Sequence, residues 1–205
     1  MKEIRPGFLD GELDEQAVPS YLDGNSLSRL VFVSRLLIAM SIANSSIKKQ
    51  QCLDFGCGSG ILLPWLAERF DRVYGVDLDL RFARLFCSAN DKIRLAESLS
   101  SAGIVAHSQD LILVLDVLEH MRDPSETIFE LASLLSPDGV MIISGPTENW
   151  LYRLGRRIVG FEGHYHHTNI YAIGQSASDV LRVYRKVRIL PIFTLFEILC
   201  LQHKG

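Results

Sequence analysis

The residues of this chain best suited to chemistry are a run, Asp54-Phe55-Gly56-Cys57-Gly58-Ser59-Gly60, and a second acid at Asp77. Gly56 and Gly58 lack a Cβ, so they accept strained turn geometry and let a ligand approach the backbone closely. A carboxylate at the end of the following strand can accept hydrogen bonds from both hydroxyls of a ribose, and the pair therefore reads as a crevice for a nucleotide-like ligand. The spacing also discriminates between ligands. A dinucleotide fingerprint, G-x-G-x-x-G, would need glycine at position 61, where the chain has Ile61; Gly60 comes one residue too early. Asp54, directly before the loop, would repel a pyrophosphate and suits a ligand with a positive amino group. A dinucleotide-dependent oxidoreductase is thereby disfavoured, and a glycine-rich turn without ligand is the plainer alternative.

Histidine is the natural base where an acceptor must lose a proton, because its pKa lies near neutrality. His120 is one candidate. His166, flanked by His164 and His167, is the other, within a loosely patterned segment at residues 147–168 that also holds Trp150, Tyr152, Phe161 and Tyr165. Long connections in compact domains are commonly lids or binding loops, so residues 147–175 are expected to cover an acceptor. Each histidine has a structural alternative, as a cap or packing residue at His120 and as a surface turn at 164–167.

These residues need elements to position them. Apolar residues recur at helical spacing over 26–43, with Ser26 as the N-cap, and predict a helix packed on a sheet. Cys52 to Phe55 is a short apolar run that stops at the glycine turn, residues 61–70 have the period of an amphipathic helix, Arg72 to Val76 is a second strand ending in Asp77, and residues 81–90 a second helix. A weaker strand is expected at Ile93 to Ala96. The uninterrupted run Leu111 to Leu115 implies a strand buried on both faces, as in a parallel sheet. Residues 125–135 read as a helix, Pro137-Asp138-Gly139 as a turn and residues 140–144 as another buried strand. Residues 176–184 look helical, and the runs 186–190 and 195–201 are expected to pair as strands. The expected fold is α/β in a single domain, with an N-terminal helical region at 1–50 and a core at 51–146.

Over residues 51–146 the sequence resembles the class I S-adenosylmethionine-dependent methyltransferases. The resemblance rests on Leu53-Asp54-Phe55-Gly56-Cys57-Gly58-Ser59-Gly60, Gly75-Val76-Asp77-Leu78, Asp116-Val117-Leu118-Glu119-His120 and Leu135-Ser136-Pro137-Asp138-Gly139. It implies a Rossmann-like, doubly wound sheet of seven strands, mostly parallel with an antiparallel last strand, and S-adenosylmethionine as cofactor. By the same resemblance Asp54 would face the methionyl amino group, Gly56, Cys57, Gly58 and Gly60 would underlie the cofactor, Asp77 would hold the ribose, and Leu78 and Asp116 would complete the cofactor set. Many relatives carry an Asp-Ala pair after the third strand to read adenine, whereas this chain has Leu95-Ala96-Glu97. Asp116, Glu119 and His120 are similar to the metal-binding residues of the ubiquinone-biosynthesis O-methyltransferases, but the spacing is short and no metal site is assigned. The implied activity is methyl transfer to a small-molecule or lipid-precursor acceptor. A cofactor-binding scaffold or partner subunit is the alternative.

The remaining composition sets bounds. A chain of 205 residues that is 48% apolar can bury one substantial core. A formal charge of −3 gives no basic field for nucleic acid. The apolar stretches at 27–43 and 189–201 are interrupted by Arg29, Arg35, Pro191 and Glu197 and fall short of the roughly 20 residues that span a bilayer. Cys52, Cys57, Cys87 and Cys200 form no CxxC or zinc pattern and read as reduced core residues, which fits a cytoplasmic location. Tyr152, Arg153, Arg156 and Arg157 form a basic stretch suited to an anionic substrate or a membrane surface, or simply to a solvated helix face.

Overall fold

The computed structural model describes residues 26–44, 48–87, 89–147, 167–189 and 196–205. Their strands are β1 (Gln51–Phe55), β2 (Arg72–Val76), β3 (Ile93–Ala96), β4 (Gln109–Leu115), β5 (Leu135–Pro146), β6 (Leu181–Ile189) and β7 (Phe196–His203). They form one seven-stranded sheet in the order β3-β2-β1-β4-β5-β7-β6. Pairing is parallel from β3 through β5, and β7 is antiparallel to both β5 and β6. This is the Rossmann-like α/β arrangement expected from the sequence.

Alternation within β4 explains why the sheet is covered on both sides. Leu111 and Leu113 enter one apolar cluster, Ile112 and Val114 the other, and all four are buried, as a period-2 strand between two helical layers requires. The first cluster is closed by α1 (Ser26–Asn44), α2 (Leu63–Ala67) and α3 (Arg81–Cys87), through Ala39, Ile42, Leu63, Leu66, Ala83 and Cys87. The second is closed by α4 (Leu99–Ala102), α5 (Ser125–Leu134) and α6 (Ile170–Val180), through Ala102, Ile128, Leu131, Ile170, Ile173 and Ala177. The carboxyl ends of β1, β2 and β4 thus meet the loops that follow them along one rim, where a doubly wound sheet binds its ligand.

Several boundaries differ from the sequence reading for local reasons. The helix expected over 61–70 is regular only from Leu63 to Ala67, entered through Pro64, which has no N–H to leave unpaired. The helix expected over 81–90 ends at Cys87. The serine-rich stretch after β3 contains α4, nucleated by a capping box between Ser98 and Ser101. The turn expected at 137–139 falls inside β5: Gln109 pairs with Leu135 and Leu111 with Val140, so residues 136–139 bulge opposite Asp110. The buried Asp110 carboxylate holds that bulge, accepting from the Ser136 hydroxyl at 3.2 Å and from the amides of Gln50 and Gln51 at 2.9 and 3.2 Å.

The largest revision concerns residues 176–184. The helix instead spans Ile170–Val180, because the Asn169 side chain caps it by accepting from the amides of Tyr171 and Ala172, each at 3.1 Å. From Leu181 the chain is strand, fixed by pairing with β7 across a register shift between Val183 and Arg185. Its apolar residues continue the helical spacing of α6, so the non-local ladder, not local pattern, decides the state. Leu113, fully packed at the centre of the sheet, reports on the whole core: Leu113→Ala is expected to lower stability by about 2–5 kcal/mol, read as a reduced urea midpoint with an unchanged m-value.

Candidate functional site

The loop after β1 is tied to the end of β2. The amides of Gly56 and Cys57 both donate to the Val76 carbonyl, at 2.7 and 3.2 Å, and the Gly58 amide donates to Asp77 Oδ2 at 2.7 Å. Asp77 Oδ1 accepts from the Asp79 amide at 3.0 Å. Asp77 is therefore a clamp on the loop, and each of its oxygens keeps a lone pair for a ligand hydroxyl. The Gly60 amide closes the turn onto the Cys57 carbonyl at 2.8 Å.

Two glycines are required for different reasons. Gly56 has φ +76°, and a Cβ there would collide with the Val117 side chain. Gly58 has φ +51°, but a Cβ there would meet nothing within 4 Å, so the space beside it lies open at the crevice. Val117 was not singled out by sequence; its role appears only when the corner after β4 is folded against the loop.

Asp54 is the penultimate residue of β1 and has a relative exposure of 4%. Burial, and then the nearby charge of Asp77, raise its pKa from 3.8 to about 7. A carboxylate so desolvated is stabilised by a bound cation, and the loop that follows it leaves open space beside Gly58. The residues present thus fit an aminoacyl-nucleoside cofactor. Cys57 is also buried, and burial together with Asp54 and Asp77 pushes its thiol up, making it a packing residue with little thiolate character. Leu78, 93% exposed, projects an apolar side chain beside Asp77. After β3, Glu97 pairs at the surface with Arg84 at 2.9 Å.

The corner after β4 carries the other candidates. Asp116 has a left-handed backbone, φ +58°. Its Oδ2 pairs with Arg35 of α1, its Oδ1 accepts from the Ser144 hydroxyl at 2.9 Å, and its amide donates to the Ser144 carbonyl at 3.2 Å. A 3-10 turn, Leu118–His120, follows, with Glu119 buried and His120 exposed. Asp116 is thus directed to Arg35 and Ser144, Glu119 inward and His120 outward; among the described residues no group of three or more His, Cys, Asp and Glu could hold a metal ion. The Glu119 carbonyl accepts the His167 amide at 2.8 Å, which returns the chain to the crevice rim. His166, His164 and the basic stretch of Tyr152, Arg153, Arg156 and Arg157 lie outside the described residues, as does most of the expected lid. Arg35 had one sequence signal, as one of two charges, with Arg29, in an otherwise apolar helical run.

The sheet order, with an antiparallel β7 between β5 and β6, and the acid-flanked glycine loop define the fold class of S-adenosylmethionine-dependent methyltransferases. The chain belongs to the methyltransferase domain family, whose model matches residues 29–180, well over half of its length. It is 29% identical over 160 residues to a ubiquinone biosynthesis O-methyltransferase of Nitrosospira multiformis, covering 72% of this chain and 67% of that protein. With the corresponding protein of Bartonella quintana it shares 33% identity over 54% of this chain and 46% of the relative, so it spans only about half the length of that protein. In solved structures it resembles the N-methyltransferase NodS of Bradyrhizobium japonicum, in complex with S-adenosylhomocysteine, with TM-score 0.71 at 19% identity over 93% of this chain and 95% of that one. It also resembles the magnesium protoporphyrin IX methyltransferase of Synechocystis, with TM-score 0.64 at 23% identity over 89% and 90% of the chains.

The glycine geometry separates fold from ligand. Gly56→Ala should lower the melting temperature markedly, because Val117 must move and the residue remains at positive φ. Gly58→Ala should lose only about 1–2 kcal/mol of stability to backbone strain while weakening S-adenosylhomocysteine binding about tenfold or more, since the added methyl enters the open space. Paired thermal melts and titration calorimetry check this; equal effects of the two variants on both readouts would contradict it.

Proposed function

We propose that this protein transfers a methyl group from S-adenosylmethionine to a small-molecule or lipid-precursor acceptor. The observation that carries the reading is the buried Asp54 carboxylate, with no cation among the causes of its raised pKa, set beside a glycine loop that Asp77 clamps. S-adenosylmethionine supplies an already electrophilic methyl group on a sulfonium, so the protein's task is to bind, orient and exclude water. In this reading Asp54 receives the methionyl ammonium, the backbone of Gly56 to Gly60 lies under the cofactor, Asp77 accepts from the ribose hydroxyls and Leu78 contacts the base. The named ubiquinone biosynthesis relatives support an oxygen acceptor on a small or lipid-like molecule. His120, exposed at the end of the 3-10 turn, and His166 are the proposed bases for such an acceptor. Turnover of labelled cofactor against phenolic, hydroxyl and amine acceptors tests the reading: methylated product and S-adenosylhomocysteine support it, and binding of cofactor without turnover on any acceptor would identify a scaffold.

Asp54 gives the reading a pH signature. The folded chain holds the Asp54 proton more tightly than the unfolded chain does, with a pKa of about 7 against 3.8. Without ligand, the stability contributed by this group is therefore full below about pH 4 and is lost as pH rises to about 7. A ligand ammonium favours the ionised form, so affinity for S-adenosylhomocysteine should rise as pH climbs toward 7, by up to about tenfold per unit, and binding at pH 6 should release a proton. Calorimetry in buffers of different ionisation enthalpy measures that release. Asp54→Asn should abolish it and weaken binding; a proton release that persists in this variant would assign the linkage elsewhere.

Asp77→Ala should weaken the same ligand by about ten- to a hundredfold, the worth of a charge-assisted hydrogen bond. The loss includes release of the Gly58 amide as well as the ribose contacts. An unchanged dissociation constant in the folded variant would remove Asp77 from the site.

A further inference from the structure

We propose that Arg35 is a positioning residue for the methyl-transfer site: by pairing with Asp116 it fixes the corner against which the cofactor loop rests, so docking of α1 and occupation of the crevice are coupled. This rests on the function proposed above and adds a part for α1, which none of the motif residues touch in sequence.

The geometry forms a short chain of contacts. The Arg35 side chain is 4% exposed, pairs with Asp116 Oδ2, and lies with its Cζ 4.2 Å from the centroid of the Phe196 ring at the start of β7. A guanidinium held between a carboxylate and an aromatic face has a fixed plane as well as a fixed charge. Asp116 is held on its other oxygen by Ser144 and has a left-handed backbone, a conformation that non-glycine residues keep only when their surroundings impose it. The next residue is Val117, whose side chain occupies the space that a Cβ on Gly56 would need. Gly56 in turn is the first loop residue hydrogen-bonded to the end of β2. The path from α1 to the loop therefore runs Arg35, Asp116, Val117, Gly56, with no intervening flexible side chain.

The arrangement gives Asp116 a structural part whether or not it also meets the cofactor, since its oxygens already engage Arg35 and Ser144. Its contribution is to hold the αL corner. A purely structural ion pair would require only that the two charges neutralise one another; the additional constraint here is that one partner's backbone shapes the loop.

The experiment uses the full chain and S-adenosylhomocysteine, with Arg35→Met, Arg35→Lys and the double variant Arg35→Met/Asp116→Asn. Arg35→Met leaves Asp116 without its partner and should lower the melting temperature by roughly 10 °C, whereas the double variant removes the stranded charge and should recover much of it. If the pair positions the corner, ligand affinity stays about tenfold or more below wild type in the double variant although stability has returned, and Arg35→Lys, which restores charge without the planar fork, recovers it only in part. Hydrogen exchange supplies a readout that stability does not move: saturating ligand should slow exchange of the amides of residues 26–44 in the wild type but not in the double variant. Affinity that tracks melting temperature across the three variants, or ligand protection of α1 that survives in the double variant, overturns the proposal. Failure of the wild type itself to bind S-adenosylhomocysteine removes the cofactor reading first, and this proposal with it.

Discussion

Asp54 is a carboxylate kept out of water at the carboxyl end of a central strand, and the construction of the crevice follows from that burial. An isolated ionised acid in such surroundings is strongly disfavoured, and the protein's response is to let its pKa rise toward neutrality, not to pair it with a basic side chain. A cationic partner within the fold would have relieved the burden permanently and removed the attraction for a cationic ligand. The nearest charge is instead another acid, Asp77, which raises the pKa further. Asp77 is more tolerable because two backbone amides donate to it, from Gly58 and Asp79. The two acids thus have different environments: one is buried without a cation among the causes of its shift, the other orders the loop.

The backbone between them is under a matching constraint. Three glycines of the loop, at 56, 58 and 60, have positive φ, which lets the chain turn back so that its amides meet Val76 and Asp77. The corner after β4 completes the geometry from the other side. Asp116 adopts the same left-handed region without being glycine, and does so where an ion pair and a hydroxyl hold its carboxylate. Strain at the loop is met by residue choice and strain at the corner by contacts, so the corner depends on distant partners in a way the loop does not.

That difference also decides what was legible in the sequence. The loop, Asp77 and the buried strand at Leu111 to Leu115 were readable because each is a local pattern: glycine spacing, an acid at a strand end, an uninterrupted apolar run. The seven strands and the antiparallel last strand followed from the resemblance that those motifs carried, and the pairing of the two closing runs from their apolar pattern, whereas the strand order is set by the folded sheet. The contacts of Arg35 were not readable beyond the oddity of a charge in an apolar helix, since Asp116, Ser144 and Phe196 are brought to it only by the folded sheet. Helix α6 and strand β6 were misdivided for a related reason. Val180, Leu181 and Val183 satisfy helical spacing and strand burial alike, and only pairing with β7 selects between them. The short α4 escaped because a serine-rich stretch reads as a loop until Ser98 and Ser101 are seen to cap one another.

Buried polarity is distributed unequally between the two ends of the sheet, and the inequality is informative about function. At the end opposite the crevice, Asp110 accepts from Gln50, Gln51 and Ser136, and Gln109 donates to Gln51 and Ser108. These bonds are short-range fasteners between β1, β4 and β5, and they account for that end as structure. At the crevice end the buried acids are Asp54, Glu119 and Glu197, and they are served quite differently. Glu197 is met from the edge strand by Arg188 at 3.2 Å, Glu119 lies under the turn that receives the chain at His167, and Asp54 has no cation among its causes of shift. Burying carboxylates opposes stability unless each is paired or hydrogen-bonded, and among these three Asp54 is the one whose raised pKa has no cation among its causes. A fold selected for stability alone would spread or pair them. The burial of Asp54 near the end of β1, beside a loop whose three glycines have positive φ, is the arrangement from which the proposed cation site is argued.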